Sequence, residues 1–250
     1  ELESDKPVAQ LTARLCDVAP DGTSLLITRG VLNLTHRDDH EHPEPLVPGE
    51  RTSVVVELDG IAQAIPAGHR LRLALSPAYW PWLWPAPEPV TLAVHTAPSR
   101  LVLPVRAPRA EDEELRPFEE PEGAPPLVTE TVEPDAGGRT LKRDFATGRT
   151  ELTFDWATGG LFRIVESGLM SGCWASTTYS ISPGDPLSAE VRCRTATELS
   201  REGWQTRAVI NAVMTCDADF FRVETKLEAF EDGERVRLRV WSFEAPRELG

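Results

Sequence analysis

No apolar run in this sequence approaches the roughly 20 residues that a membrane-crossing helix needs. Basic residues are outnumbered, 26 Lys and Arg against 40 Asp and Glu, which leaves a net charge of −14. A chain so acidic lacks the basic face that nucleic acid or an anionic membrane requires. The four cysteines, Cys16, Cys173, Cys193 and Cys216, form no C-x-x-C pair, so a zinc ribbon and a thioredoxin-like motif are absent. They are also too sparse for a disulfide scaffold and read as buried free thiols. No G-x-S-x-G, H-E-x-x-H, Walker A or G-x-G-x-x-G string occurs. The nearest approach to a nucleophile elbow, Gly168-Leu169-Met170-Ser171-Gly172, has its serine in the wrong place. No cofactor is expected. Proline is nearly missing from the second half: 19 of 22 fall before residue 135.

What remains is a 250-residue chain, 40% hydrophobic, with enough length to bury a core in one large or two ordinary domains. It begins with Glu1 and shows no signal-peptide pattern, and it reads as a piece of a longer polypeptide. A cytoplasmic setting is expected, with secretion left open. Residues 111–122 hold seven acids and one arginine, a net −6. Such a stretch repels itself and has little to bury, so it reads as an exposed connector. The expected organisation is a β-domain over 1–108, an acidic, proline-rich connector over 109–127 and an antiparallel β-domain over 128–250.

The first half carries short apolar segments between glycine and proline turns, at 11–18, 25–28, 31–34, 53–58, 70–75, 90–94 and 101–105. This spacing predicts an all-β sandwich or jelly roll. The second half alternates more cleanly. Trp204, Thr206, Ala208, Ile210 and Ala212 share one face of a strand, and Phe221, Val223, Thr225, Leu227 and Ala229 one face of the next. Glu231-Asp232-Gly233-Glu234 reads as a hairpin turn. Beyond it Val236, Leu238 and Val240 oppose Arg235, Arg237 and Arg239, which predicts an antiparallel sheet with one apolar and one charged face. Strands are also expected at 151–155, 161–166, 174–181 and 189–198.

Two clusters invite a site. His36, His40 and His42 are interleaved with Asp38, Asp39 and Glu41, but Pro43, Pro45 and Pro48 break any regular register, so a solvated loop is expected and no metal. His69 and His95 stand alone beside strands and read as hydrogen-bonded structural residues. The other cluster is the loop 79–89, where Tyr79, Trp80, Trp82 and Trp84 lie among prolines that exclude a helix or central strand. Prolines between the tryptophans make it hard for all three rings to point inward. At least one should stay on the surface, and the loop reads as docking against another domain or subunit or bordering a cleft, with rings tucked into the domain beneath or a sugar- or ligand-stacking platform as the alternatives.

Several strings resemble one family. They are Arg14-Leu15-Cys16-Asp17-Val18-Ala19-Pro20-Asp21-Gly22, Gly30-Val31-Leu32-Asn33-Leu34-Thr35-His36-Arg37, Pro48-Gly49-Glu50, Pro66-Ala67-Gly68-His69-Arg70-Leu71-Arg72-Leu73 and the 79–85 loop. Together, over about residues 8–105, they resemble the C-terminal non-catalytic domain of the X-Pro dipeptidyl-peptidase and cocaine-esterase-like serine hydrolases, of peptidase S15 type. Ile181-Ser182-Pro183-Gly184-Asp185-Pro186-Leu187-Ser188-Ala189, Met214-Thr215-Cys216-Asp217-Ala218-Asp219 and Pro246-Arg247-Glu248-Leu249 look like the tail of longer acyl-hydrolase members. The resemblance implies a galactose-binding-like jelly roll that follows an α/β-hydrolase domain, with the Ser-Asp-His triad upstream of Glu1. It carries no catalytic residue into this chain, and His69 belongs to the jelly-roll motif. The chain is therefore expected to be non-catalytic. It would support the hydrolase domain of the same polypeptide, largely through the 79–89 loop, and border its substrate cleft, and a homo-oligomer is compatible with this. An independent carbohydrate-binding module is the alternative, on fold analogy alone.

Overall fold

The computed structural model describes every residue of the chain except Ala157. It is all-β and antiparallel. β1 (Leu2–Ser4), β2 (Gln10–Val18), β3 (Ser24–Asn33), β4 (Arg70–Ser76) and β5 (Leu92–Val94) make the first region. β6 (Thr129–Glu133), β7 (Gly138–Arg143), β8 (Thr150–Ile164), β9 (Met170–Ser182), β10 (Asp185–Arg201), β11 (Trp204–Cys216), β12 (Phe220–Glu231) and β13 (Glu234–Pro246) make the second.

In the first region β2 lies between β3 and β4, and β1 pairs with β5. The odd residues of β2 turn Leu11, Ala13 and Leu15 to the same side as Leu71, Leu73 and Leu75 of β4, which is the period-two signal of the sequence realised. The core sits on this side: Leu2, Ala9, Leu11, Leu34 and Leu46 are buried together, with Val54, Val56, Val90 and Leu92 packed against them. Each such buried Leu stabilises the fold by about 1.5–3 kcal/mol. Toward Leu71, Leu73 and Leu101 the same side opens into an apolar cleft of about 910 Å³.

The strands expected at 53–58 and 101–105 pair in no ladder among the described residues, and only Thr52 bridges, to Leu2. The reason is visible at Gly30, which sits opposite Ala13 on the core side. The backbone of Glu57 lies directly on it, and a Cβ there would run into the Glu57 carbonyl. Residues 53–58 therefore cross over the sheet, held by Asp59 N donating to Arg29 O at 2.8 Å and Thr28 Oγ1 donating to Asp59 O at 2.7 Å.

The second region is one sheet in the order β13-β12-β11-β10-β9-β8-β6, with β7 pairing the outer half of β8. The two strands expected at 151–155 and 161–166 are the ends of β8, whose register against β9 shifts between Trp156 and Gly160. The hairpin at 231–234 is present, with Asp232 and Gly233 at φ 49° and 84°, the positive values such a turn requires.

The faces of β13 correct the sequence expectation. A bulge at Ala229/Phe230 moves the register by one residue, so Arg237 lies opposite Ala229, Arg239 opposite Leu227, and Leu238 opposite Glu228. One extra residue in a ladder of period two exchanges the faces beyond it. The arginines thus stand on the apolar side of β12, where Arg239 lies over the Trp241 ring at 4.7 Å. The cysteines are free but half-buried rather than buried.

Residues 109–127 are exposed apart from Asp112, and they include a short 3-10 turn over Ala110–Glu113.

The contact at Gly30 is testable. Gly30→Ala should destabilise the chain by about 1–3 kcal/mol, the usual cost of overpacking. Gly60→Ala, where nothing lies within 4 Å of the new methyl, should change stability by less than about 0.5 kcal/mol. Urea unfolding of both variants makes the comparison, and equal midpoints would contradict the close approach.

Candidate functional site: the aromatic seam

The loop after β4 is stiffened by Pro77, Pro81, Pro85, Pro87 and Pro89. Trp82 N and Leu83 N both donate to Tyr79 O, at 2.8 and 3.0 Å, and the Trp80–Pro81 peptide is cis. The loop presents its rings in two directions. Tyr79 and Trp82 lie under arginines of the first sheet: Arg14 Cζ is 5.1 Å from the Tyr79 centroid, and Arg29 Cζ is 3.8 Å from that of Trp82. Trp80 and Trp84 face the second sheet.

There they complete an edge-to-face row. Phe154 on β8 meets Tyr179 on β9 at 5.9 Å, Tyr179 meets Trp80 at 6.0 Å, Trp80 meets Trp84 at 5.3 Å, and Trp84 meets Phe221 on β12 at 5.8 Å. The interplanar angles are between 82° and 90°. The positive edge of one ring meets the negative face of the next, and each such pair contributes about 0.5–1.5 kcal/mol beyond the area it buries. Leu152↔Tyr179 and Met214↔Val223 pairings place Phe154, Tyr179 and Phe221 on one side of the sheet, the side the loop meets.

Polar bonds lock the same seam. Trp84 Nε1 donates to Cys216 Sγ at 3.1 Å, and Gln10 Nε2 donates to Trp84 O at 2.8 Å. Arg247, only 4% exposed, donates from Nη2 to Pro85 O at 2.6 Å and from Nη1 to Asp217 O at 3.3 Å, with its Cζ 4.6 Å from the Phe221 centroid. Burial lowers the pKa of this guanidinium, against the pull of Cys216 and Asp217. The tail beyond it crosses to the first region, where Asn33 Nδ2 and Thr35 Oγ1 both donate to Leu249 O at 2.9 Å.

Asp217 shapes the approach to β12. Its carboxylate accepts from the backbone N–H groups of Asp219 and Phe220, both at 2.8 Å, and from Arg222 Nη1 at 2.5 Å. These bonds to the charged form hold its pKa at about 2, below the ordinary 3.8.

The residues singled out in the sequence are thus divided. The loop was expected to meet a domain outside the chain, but Trp80 and Trp84 are taken up by the second sheet of the same chain. Trp82, 66% exposed, remains open beside Tyr79. Tyr179, Phe221 and Arg247 were missed as partners. Arg247 and Cys216 lie in strings that carried the family resemblance, which was the available signal.

The histidines serve locally. His69 Nδ1 pairs with Asp17 Oδ1 at 2.8 Å, and His95 Nε2 with Glu3 Oε1 at 2.7 Å. His36 and His40 approach at 3.4 Å through their Nδ1 atoms. Among the described residues no three His, Cys, Asp or Glu side chains gather as a metal site.

The proline-fixed aromatic loop thus joins the three-stranded sheet of the first region to the eight-stranded sheet of the second in an all-β, antiparallel chain. Residues 1–110 match the family described as the X-Pro dipeptidyl-peptidase C-terminal non-catalytic domain. No curated protein and no solved structure matches the chain.

The Asp217 turn gives a pH-dependent prediction. A carboxylate whose folded pKa is depressed stabilises above its ordinary pKa, and that contribution is lost as pH falls through the folded value. Asp217→Asn should therefore unfold at lower urea than the wild type at pH 7. The gap should close as pH falls from about 4 to about 2. A gap that stays constant down to pH 2 would show that the carboxylate charge is not what holds the turn.

Proposed function

We propose that the chain is the accessory region of a serine hydrolase, of X-Pro dipeptidyl-peptidase or acyl-esterase type. It performs no chemistry itself and supports an α/β-hydrolase domain that precedes it in the same polypeptide. The observation that carries this reading is the match of residues 1–110 to a non-catalytic domain of that family. The first region is read as a galactose-binding-like jelly roll over 1–108. The connector 109–127 and the antiparallel domain 128–250 follow. Because the seam binds the second sheet to the first, the accessory region acts as one rigid body. Its open docking surface is the Trp82 side of the loop.

A fluorophosphonate probe tests the reading, because it labels an activated serine covalently. Incubated with this chain it should label nothing. The polypeptide with its preceding hydrolase domain should be labelled once, at that domain's nucleophile. A labelled serine in this chain, or no labelling of the longer polypeptide, would overturn the assignment.

A further inference from the structure

The turn that follows β3 brings two imidazoles together. Its start is anchored: Leu34 and Thr35 are buried, and Leu34 N donates to Ala9 O at 2.9 Å. Its two arms are closed on each other. Glu44 N donates to Thr35 O at 2.8 Å, and Arg37 Nη1 donates to Leu34 O at 3.1 Å and to Glu44 O at 2.8 Å. Within the closed turn Glu41 N donates to Asp39 Oδ1 at 2.8 Å. Prolines deny this segment a helix or a strand, but these bonds give it a fixed shape of another kind. His36, half-buried, and His40, exposed, face each other across it.

Their Nδ1 atoms are 3.4 Å apart, with the ring centroids at 5.5 Å and the planes tilted by 40°. That gap is longer than about 2.7–3.2 Å, the usual reach of an N–H donor. It is the gap that one shared ion sets. Two nitrogens each about 2.0–2.1 Å from a tetrahedral zinc ion stand roughly 3.3–3.4 Å from each other. The surroundings favour a cation. Residues 36–44 carry Asp38, Asp39, Glu41 and Glu44 against Arg37 alone, a net charge of −3 with the histidines neutral. Imidazole suits ions of the zinc, copper and nickel type, whereas carboxylate and water suit magnesium. Among the described residues no third such side chain joins the pair, so water completes the coordination.

We propose that His36 and His40 form a binding site for one divalent transition-metal ion of the zinc type, held through both Nδ1 atoms. Each imidazole ligates in its neutral form, so the proton of each ring sits on Nε2. Two protein ligands make an open, exchangeable site rather than a closed structural one. The ion ties the exposed His40 to the anchored start of the turn. It thereby stiffens the segment beside Asn33 and Thr35, which hold the Leu249 carbonyl. The inference goes beyond the accessory-domain reading and does not depend on it.

Calorimetric titration of the chain with zinc chloride, in a form free of any histidine tag, tests it. One ion should bind per chain. The melting temperature should rise with zinc concentration, since only the folded turn brings the pair together. His40→Gln, at an exposed position, should weaken binding by about tenfold or more and remove the rise in melting temperature. His36→Gln should do the same, and circular dichroism checks that both variants fold. His42→Gln, on the same turn, should leave zinc binding unchanged. Magnesium chloride at the same concentrations should not bind, because its preferred ligands are oxygens. Absence of zinc binding, loss of binding in His42→Gln but not in His40→Gln, or equal binding of magnesium, which would put the ion on the carboxylates, would overturn the proposal. The fluorophosphonate result bears on the hydrolase assignment alone, so the two readings can fail separately.

Discussion

The interleaving of Trp80 and Trp84 with Tyr179 and Phe221 is the contact on which the arrangement of the two sheets depends. The loop reaches the second sheet because prolines hold it away from helix and strand, and because Gln10 anchors the Trp84 carbonyl to β2. The second sheet receives it because β8, β9 and β12 bring Phe154, Tyr179 and Phe221 to one side. Arg247 then joins the chain terminus to the loop through the Pro85 carbonyl, and Leu249 ties the tail to Asn33 and Thr35. Removing Phe221 would uncover one side of the Trp84 ring and take away the ring that Arg247 lies over, and removing Trp84 would break the row and leave Cys216 Sγ without its indole donor, so the contacts of the seam depend on one another.

The two regions are far apart along the chain, separated by a long exposed connector, and the seam is where they meet. The acidic segment repels itself and contributes little packing, while the rigid coupling comes from residues far apart in sequence.

Much of the fold was legible because its signals are local. Alternation on β11 and β12, the glycine turn at 231–234 and the proline break before residue 135 each depend on neighbours within a few residues. The faces of β13 were not legible. Arg235, Arg237 and Arg239 alternate as a charged row should, yet a bulge that no side-chain pattern announces turns Arg237 and Arg239 to the apolar side. The path of 53–58 was likewise hidden, because crossing over Gly30 and adding at an edge are both served by the run Val54-Val55-Val56. The site divided along the same line. Three tryptophans among prolines marked a contact surface, but its occupant lies about 100 residues away, and only the fold shows that Trp80 and Trp84 pack on the second sheet while Trp82 stays largely exposed beside Arg29.

Scanning calorimetry tests the central claim, that the aromatic seam makes the two sheets one cooperative unit. The account predicts a single transition for the chain, with calorimetric and van't Hoff enthalpies in agreement. Trp80→Ala with Trp84→Ala should split it into two transitions, one for each sheet. Two independent transitions in the wild type, or an undivided and unshifted transition in the double variant, would contradict it.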